Sequence, residues 1–237
     1  AKENENSATT SRTMDRTALD HVQMVSLSDI GSLLPGGVTA NPSLLSTNRF
    51  NLRAGEATEA GNSSFGTAVE VDGVRISNNA SFSEIKGSSI NNIASSNVES
   101  VEVISGVPSV EYGDIGAGIV KVNTKKGLAP YLVTMTTNPK TKQFSVSKGF
   151  GLGQSRNGVS GGVLNANVEY TRSVKDSRSP YESYNRKQIS LNYSNLFNNG
   201  MFSETPLRFS FGITGNLGGS DTKADPDLLI GTYEKQK

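Results

Sequence analysis

The chain has 237 residues with 23 basic and 22 acidic side chains, a net charge of +1 and no cysteine. Disulfides, thiolate nucleophiles and cysteine metal sites are therefore excluded. His21 is the one histidine, so a His-rich metal centre or a Ser–His catalytic pair lacks its material. The balanced charge has no basic block of the kind that marks a nucleic-acid partner.

Tryptophan is absent and glycine is frequent, at 25 residues. That mixture suits a turn-rich β protein. No apolar run approaches the length of a transmembrane helix. The opening AKENENSATTSR has no apolar stretch of the signal-peptide kind, and residues 1–12 are expected to be a disordered polar tail. Next, HVQMVSLSDIGSLLPGG predicts a short amphipathic helix. Ser26 is its cap and Asp29 the capping-box partner. Leu27, Ile30, Leu33 and Leu34 share one face, and Pro35-Gly36-Gly37 ends it. Residues 38–66 read as loop, with an extended patch at 50–53. In AVEVDGVRI, Val69 and Val71 alternate before Asp72-Gly73, and Val74 and Ile76 after it. Asp-Gly supplies the positive φ angles of a type I′ hairpin turn. A second short helix is expected near SSINNIASS, with Ile90 and Ile93 on one face. The strand VESVEVI follows, then the glycine-rich SGVPSVEYGDIGAG, then the strand IVKVNTKKG.

After Gly127 the period becomes two. In QFSVSKGFGLG, Phe144, Val146, Phe150 and Leu152 share a face that Lys148 interrupts. In LNANVEYT, Leu164, Ala166, Val168 and Tyr170 alternate with Asn165, Asn167, Glu169 and Thr171. Ile189, Leu191 and Tyr193 alternate with Gln188, Ser190 and Asn192 in QISLNYS. Finally, Leu207, Phe209, Phe211, Ile213 and Leu217 alternate with Arg208, Ser210, Gly212, Thr214 and Asn216. Each segment is near the length of a tilted membrane strand, and Tyr170 and Tyr193 stand near the ends of their apolar rows, where an aromatic girdle would lie. A soluble antiparallel sheet with one wet face has the same alternation, and on pattern alone it is the first reading. Near the end, DTKADPD offers Asp221, Asp225 and Asp227 as calcium ligands or paired carboxylates, against a solvated loop.

The glycine-rich stretch decides between these. A phosphate loop needs GxxxxGK[ST] before a helix; Gly106, Gly113, Gly116 and Gly118 are followed by no such lysine, and IVKVNT favours strand. The dinucleotide fingerprint fails on spacing and on the missing helix. A generic hairpin explains the strand–turn–strand order but not the set of Pro108, Tyr112 and Asp114. The whole of VESVEVISGVPSVEYGDIGAGIVKVNTKKG resembles the closing segment of the plug domain of TonB-dependent outer-membrane receptors. Val98, Glu99, Val101, Glu102 and Val103 match its "IESIEVIKG" strand. Gly106, Pro108, Ser109, Tyr112 and Gly113 match "P-S-x-x-Y-G" and its surroundings, and Gly118, Val120, Thr124 and Lys125 match the strand ending in "TK". SDIGSLLPGG, NLRAG with Arg53, and VEVDGVRI resemble earlier plug elements in the same order, while RSPYESYNR resembles the early barrel of receptors common in polysaccharide-degrading anaerobes. Ser105 stands where the family often has Lys or Arg, and Gly118-Ile119 where it often has Gly-Gly.

The resemblance implies an α+β plug domain over 13–127, then over 128–237 the antiparallel β-strands of a truncated transmembrane β-barrel. It reverses the reading of the alternating segments. It implies energy-coupled nutrient uptake through a gated, plugged 22-stranded barrel, with no cofactor, no catalysis and no metal. Arg53 is the expected plug–barrel contact. Gly106, Pro108, Tyr112, Gly113 and Gly118 form the plug turn, and Asp72 and Gly73 a hairpin turn. Asn165, Asn167, Glu169, Gln188, Asn192, Arg208 and Asn216 are expected to face the lumen. The implied partners are TonB, through a segment not located here, the rest of the barrel, outer-membrane lipid, a nutrient ligand and, in some relatives, a surface lipoprotein lid. At ~20 residues per strand and link, residues 128–237 hold about five strands, so the chain is expected to be part of a larger receptor. The competing reading is a secreted or surface β-rich binding module, for example for glycans, with exposed aromatic platforms.

Overall fold

The computed structural model describes residues 2–3, 10–22, 24–33, 44–45, 67–76, 90–105, 112, 118–153, 161–178, 181–198, 200–223 and 234–235. The chain divides into two units, Ala1–Thr124 and Lys125–Lys237.

The first unit holds a six-stranded mixed sheet. Its strands are β1 (Lys2–Glu3), β2 (Thr10–Met14), β3 (Thr67–Val71), β4 (Val74–Arg75), β5 (Val98–Ser105) and β6 (Gly118–Thr124), in the spatial order β1-β2-β5-β6-β3-β4. Of the tail expected to be disordered over 1–12, residues 2–3 and 10–12 stand in strands, and 1 and 4–9 lie outside the described residues. Lys2–Glu3 pairs with Arg12–Thr13, and Thr10–Met14 pairs antiparallel with β5. Ser11 and Met14 lie on opposite faces of this strand and are both buried, so it has no period-two pattern that a sequence reading could find. β5 and β6 pair antiparallel, as the strand–turn–strand order predicts. β3 joins β6 in parallel, a long-range pairing that no local pattern reports.

The helices are shorter than expected. Helix α1 (Arg16–Val22) is absent from the sequence reading; Asp15 caps it, its Oδ1 accepting the Ala18 N–H at 3.0 Å. The expected amphipathic helix is a 3₁₀ segment, Leu27–Leu33. The second expected helix is two 3₁₀ turns, Ile90–Asn92 and Ser95–Asn97. Such short segments carry the cost of nucleation with little gain from propagation, so they rest on tertiary packing, here of Leu27, Ile30 and Ile90 in the core. Leu27, Ile30, Ile90, Val98, Val101, Val103, Val120 and Val122 form one core with Met14, Leu19, Met24 and Val69. Arg16 ties α1 to β5, donating to the carbonyls of Ser95 at 3.2 Å and Val98 at 2.9 Å.

The second unit is an antiparallel meander of β7 (Ala129–Thr137), β8 (Thr141–Gly151), β9 (Val163–Val174), β10 (Glu182–Phe197), β11 (Leu207–Thr222) and the two-residue β12 (Glu234–Lys235), each beside the next. Four of the five long strands contain the four alternating segments. β7 is the addition: in YLVTMTT, Leu132 stands on the polar row opposite Ser147 and blurs the period. No helix among the described residues is long and apolar enough to cross a membrane.

The sheet is inside out relative to a soluble one. Its polar row is buried: Thr141, Gln143 and Ser145 on β8, Asn165 to Ser173 in steps of two on β9, and Arg186, Gln188, Ser190 and Asn192 on β10. Its apolar row is open: Phe144, Phe150, Val168, Tyr170, Ile189 and Leu191 are all at least 38% exposed. On β11 both rows are largely exposed.

Candidate functional site

Among the plug-turn residues, Tyr112 and Gly118 are described; Gly106, Pro108 and Gly113 lie outside the described residues, as does Arg53. Gly118 opens β6 at φ 143°, between Thr67 of β3 and Ser105 of β5. A Cβ is strained at that angle, which is the physical content of the glycine there. Tyr112 is half-buried, and the Lys121 ammonium of β6 lies 5.2 Å from its ring centroid. A hydrogen bond to Tyr112 raises the Lys121 pKa above the ordinary lysine value. Partial burial opposes the rise, and the charges of Glu102 and Glu70 add to it. These two glutamates stand directly opposite Lys121 on its neighbours β5 and β3, so this row of the first unit's sheet alternates in charge.

Asp72-Gly73 is the type I′ turn its residues predict, with φ of 52° and 85°. It has a second role that the sequence reading missed. The Asp72 carboxylate accepts the Thr124 N–H at 3.0 Å and the Thr124 hydroxyl at 2.6 Å, while the Asp72 N–H donates to the Val122 carbonyl at 2.9 Å. The turn of one hairpin thus clamps the last residue of β6, the strand that leads out of the first unit. The two residues are 52 apart, and the parallel β3–β6 pairing brings them together.

In the second unit the register stacks the polar residues in rows across strands. One row runs Thr134, Ser145, Glu169, Gln188, Asn216; the next runs Ser147, Asn167, Ser190, Thr214. A third is Gly149, Asn165, Asn192, Gly212, in which each asparagine amide lies over a glycine on the neighbouring strand. A Cβ on Gly212 would stand 2.6 Å from the Asn192 Oδ1, and Asn165 donates to the Gly127 carbonyl at 2.8 Å. Of the residues expected on one face, Asn165, Asn167, Glu169, Gln188 and Asn192 are brought together and buried. Asn216 is opposite Gln188, and Arg208 is opposite Leu196; both are exposed. The row also contains Arg186, which the sequence reading did not single out. Its guanidinium pairs with the Glu169 carboxylate, both side chains at most 2% exposed, and Thr171 donates to the same carboxylate at 3.0 Å. Arg186 shares the parity of Gln188, so its face was legible; its partner, 17 residues away on β9, was not.

No group of three His, Asp or Glu side chains suited to a metal is found among the described residues. Asp221 lies in β11 opposite Ser183, and Asp225 and Asp227 are outside the described residues.

The family model described as the TonB-dependent receptor plug domain matches residues 3–120. No curated protein matches the chain in sequence. Solved structures that share the fold include the following three. The chain is 15% identical to the siderophore receptor PiuA from Acinetobacter baumannii (TM-score 0.51), covering 88% of this chain and 26% of that one. It is 13% identical to the open form of the ferric-catecholate import receptor Fiu from E. coli K12 (0.55), covering 92% and 28%. It is 17% identical to the ferric yersiniabactin uptake receptor FyuA from Yersinia pestis (0.54), covering 94% and 34%. The chain thus spans between a quarter and about a third of the length of these receptors. With a plug-type first unit and an inside-out antiparallel second unit, the chain belongs to the TonB-dependent receptors of the outer membrane.

Proposed function

We propose that this chain supplies the plug and the first wall strands of a gated importer that carries a nutrient ligand across the outer membrane, driven by TonB. The observation that carries the reading is the sign of burial on the second unit. Its polar row is buried and its apolar row is open, which suits a strand wall between lipid and an interior filled with polar groups. A gate of this kind makes and breaks no bond. Asn165, Asn167, Glu169, Gln188, Asn192, Arg208 and Asn216 would face the lumen. Arg53 would reach carboxylates on the barrel wall, for which the planar guanidinium fork is suited. Tyr112 and the plug-turn residues Gly106, Pro108, Gly113 and Gly118 would shape the end of the plug. TonB would act through a segment N-terminal to the plug, and a surface lipoprotein would be a lid where one exists.

The three structural neighbours are named for a siderophore, a ferric catecholate and ferric yersiniabactin; a ferric siderophore is accordingly the ligand class to test first. The decisive experiment follows the full-length gene product by membrane fractionation and by heat-modifiable gel mobility, with labelled ligand uptake in cells with and without TonB. An outer-membrane product with heat-shifted mobility and TonB-dependent uptake is expected. A soluble product without the shift would overturn the reading and make a β-rich surface binding module the leading alternative.

A further inference from the structure

The open face of the second unit is apolar along most of its height, but its rim is not. On β8 the outward row runs Lys142, Phe144, Val146, Lys148, Phe150; on β9 it runs Arg172, Tyr170, Val168, Ala166, Leu164 in the matching direction. Register sets Lys142 directly opposite Arg172, and Phe144 opposite Tyr170, which in turn is opposite Lys187 of β10. Lys142, Arg172 and Lys187 are therefore contiguous: one directly opposed pair and one diagonal neighbour. All three are exposed. They sit where the apolar band ends, level with the 138–140 and 175–181 connections.

Like charges facing each other across two strands are unfavourable unless something offsets them. The carboxylates described at that end of the sheet are engaged or distant. Glu182 pairs with Lys175 at 2.8 Å, and Asp176 accepts the Arg178 backbone N–H at 2.9 Å. Asp221 stands two strands and one row away from Arg172. The other cation on this face is accommodated differently: Lys148 lies 3.7 Å from the Tyr131 ring centroid and 5.2 Å from that of Phe150, so aromatic faces offset its charge. The rim cations have Tyr170 between Phe144 and Lys187, an amphipathic ring of the type that sits at headgroup level.

We propose that Lys142, Arg172 and Lys187 form a site for the phosphate of an anionic membrane-lipid headgroup, with the acyl chains lying along Phe144, Tyr170, Val168 and Ile189. The site rests on the barrel reading above. Charge complementarity and continuity with the apolar face select a lipid over a free anion: Arg172 and Lys142 present N–H donors to phosphate oxygens, and the exposed apolar row begins immediately beside them.

The test uses full-length receptor in neutral detergent, offered phosphatidylglycerol or phosphatidylcholine at equal concentration. Retained lipid is counted by native mass spectrometry, with inorganic phosphate as a third probe. At about fivefold per basic residue near an anionic surface, wild type is expected to prefer phosphatidylglycerol by tenfold or more. The preference should shrink as ionic strength rises. K142Q/R172Q/K187Q should bring the ratio near one, and K142R/K187R should keep it. If the triple variant does not give the heat-shifted folded band, the singles R172Q and K187Q serve instead, each lowering the ratio by about fivefold. An unchanged ratio in the variants overturns the site, as does a wild type without preference. Competition by inorganic phosphate at equal concentration would overturn the lipid assignment. A product that never reaches the outer membrane fails the barrel reading before any lipid is counted, whereas an inserted barrel without preference fails this site alone.

Discussion

At the residue scale, Asp29 shows how a cap and a buried charge compete at one position. Its Oδ2 accepts the N–H groups of Val25 at 2.8 Å and Ser26 at 3.0 Å, the backbone half of the expected capping box. Burial raises its pKa nonetheless, and the two hydrogen bonds only partly oppose this. A raised carboxyl pKa means the folded state holds the proton more tightly. Its contribution to stability is thus fully present below the unfolded value near ~4 and is lost as pH rises through the higher folded value. Asp29→Asn keeps an acceptor and removes the desolvated charge, so at pH 7 it is expected to be neutral or stabilising. Asp29→Ala loses the cap, at about 1 kcal/mol. Denaturant unfolding at pH 4 and pH 7 measures both; an Asn variant as destabilised as the Ala variant would refute this account. At Lys121 the sign is the familiar one for a base that gains a partner: the contribution is present below its unfolded pKa and lost as pH rises through the raised folded value. Tyr112→Phe is expected to move the Lys121 pKa back towards the ordinary lysine value, read by NMR titration of the ammonium-adjacent carbon.

At the element scale, two ties join neighbouring strands, the first between strands far apart in sequence and the second within the meander. Asp72 clamps Thr124 through two accepted hydrogen bonds. Asp72→Ala leaves the Thr124 N–H without that acceptor, a loss of about 1–3 kcal/mol, and should raise amide exchange over Val122–Thr124 before the rest of β6. Protection unchanged there would show that the clamp is idle. In the second unit the Glu169–Arg186 pair is buried on the polar row. Removing one partner of a buried pair strands the other charge, at about 3–5 kcal/mol, whereas removing both costs far less. Arg186→Gln alone is therefore expected to lower the temperature at which the folded gel band disappears, and Glu169→Gln with Arg186→Gln to restore most of it. Equal loss in the single and double variants would mean that the pair acts through packing and not through charge.

At the scale of the whole molecule, the orientation of the strand wall is the testable consequence. With cysteines placed singly in the full-length receptor, Val168→Cys should react with a lipid-soluble maleimide and Asn167→Cys should not. The reverse pattern would put the polar row towards lipid and reject the proposed lumen face. The height of the wall is consistent with the task. Sixteen residues in β10 and in β11 extend about 54 Å at ~3.4 Å each. Tilted by roughly 40°, such strands rise beyond the ~25 Å apolar band of an outer-membrane barrel. The excess lies where the outward residues turn polar, at Asn185 and Arg172, beside the proposed lipid site.

Read by itself, the sequence determined what short-range pattern can carry. Absent cysteine and a single histidine removed whole classes of chemistry. Asp72-Gly73 announced its hairpin because only a few residues tolerate two positive φ angles. Period two announced β8 to β11, since each side chain's face follows from parity alone, and the ordered plug motifs pointed to the family. Alternation has no sign, however: it says that two faces differ, not which one is buried. The family resemblance implied a sign, and the tertiary structure has Glu169 and Arg186 enclosed and Val168 and Ile189 open. The tertiary structure also decided what depends on contacts far apart in sequence. These are the parallel β3–β6 pairing, the Asp72–Thr124 clamp, the Glu169–Arg186 pair, and β2, whose buried Ser11 and Met14 lie on opposite faces. Contacts of that kind form only when the whole chain has paid the entropy of closing long loops, so no window of neighbouring residues records them.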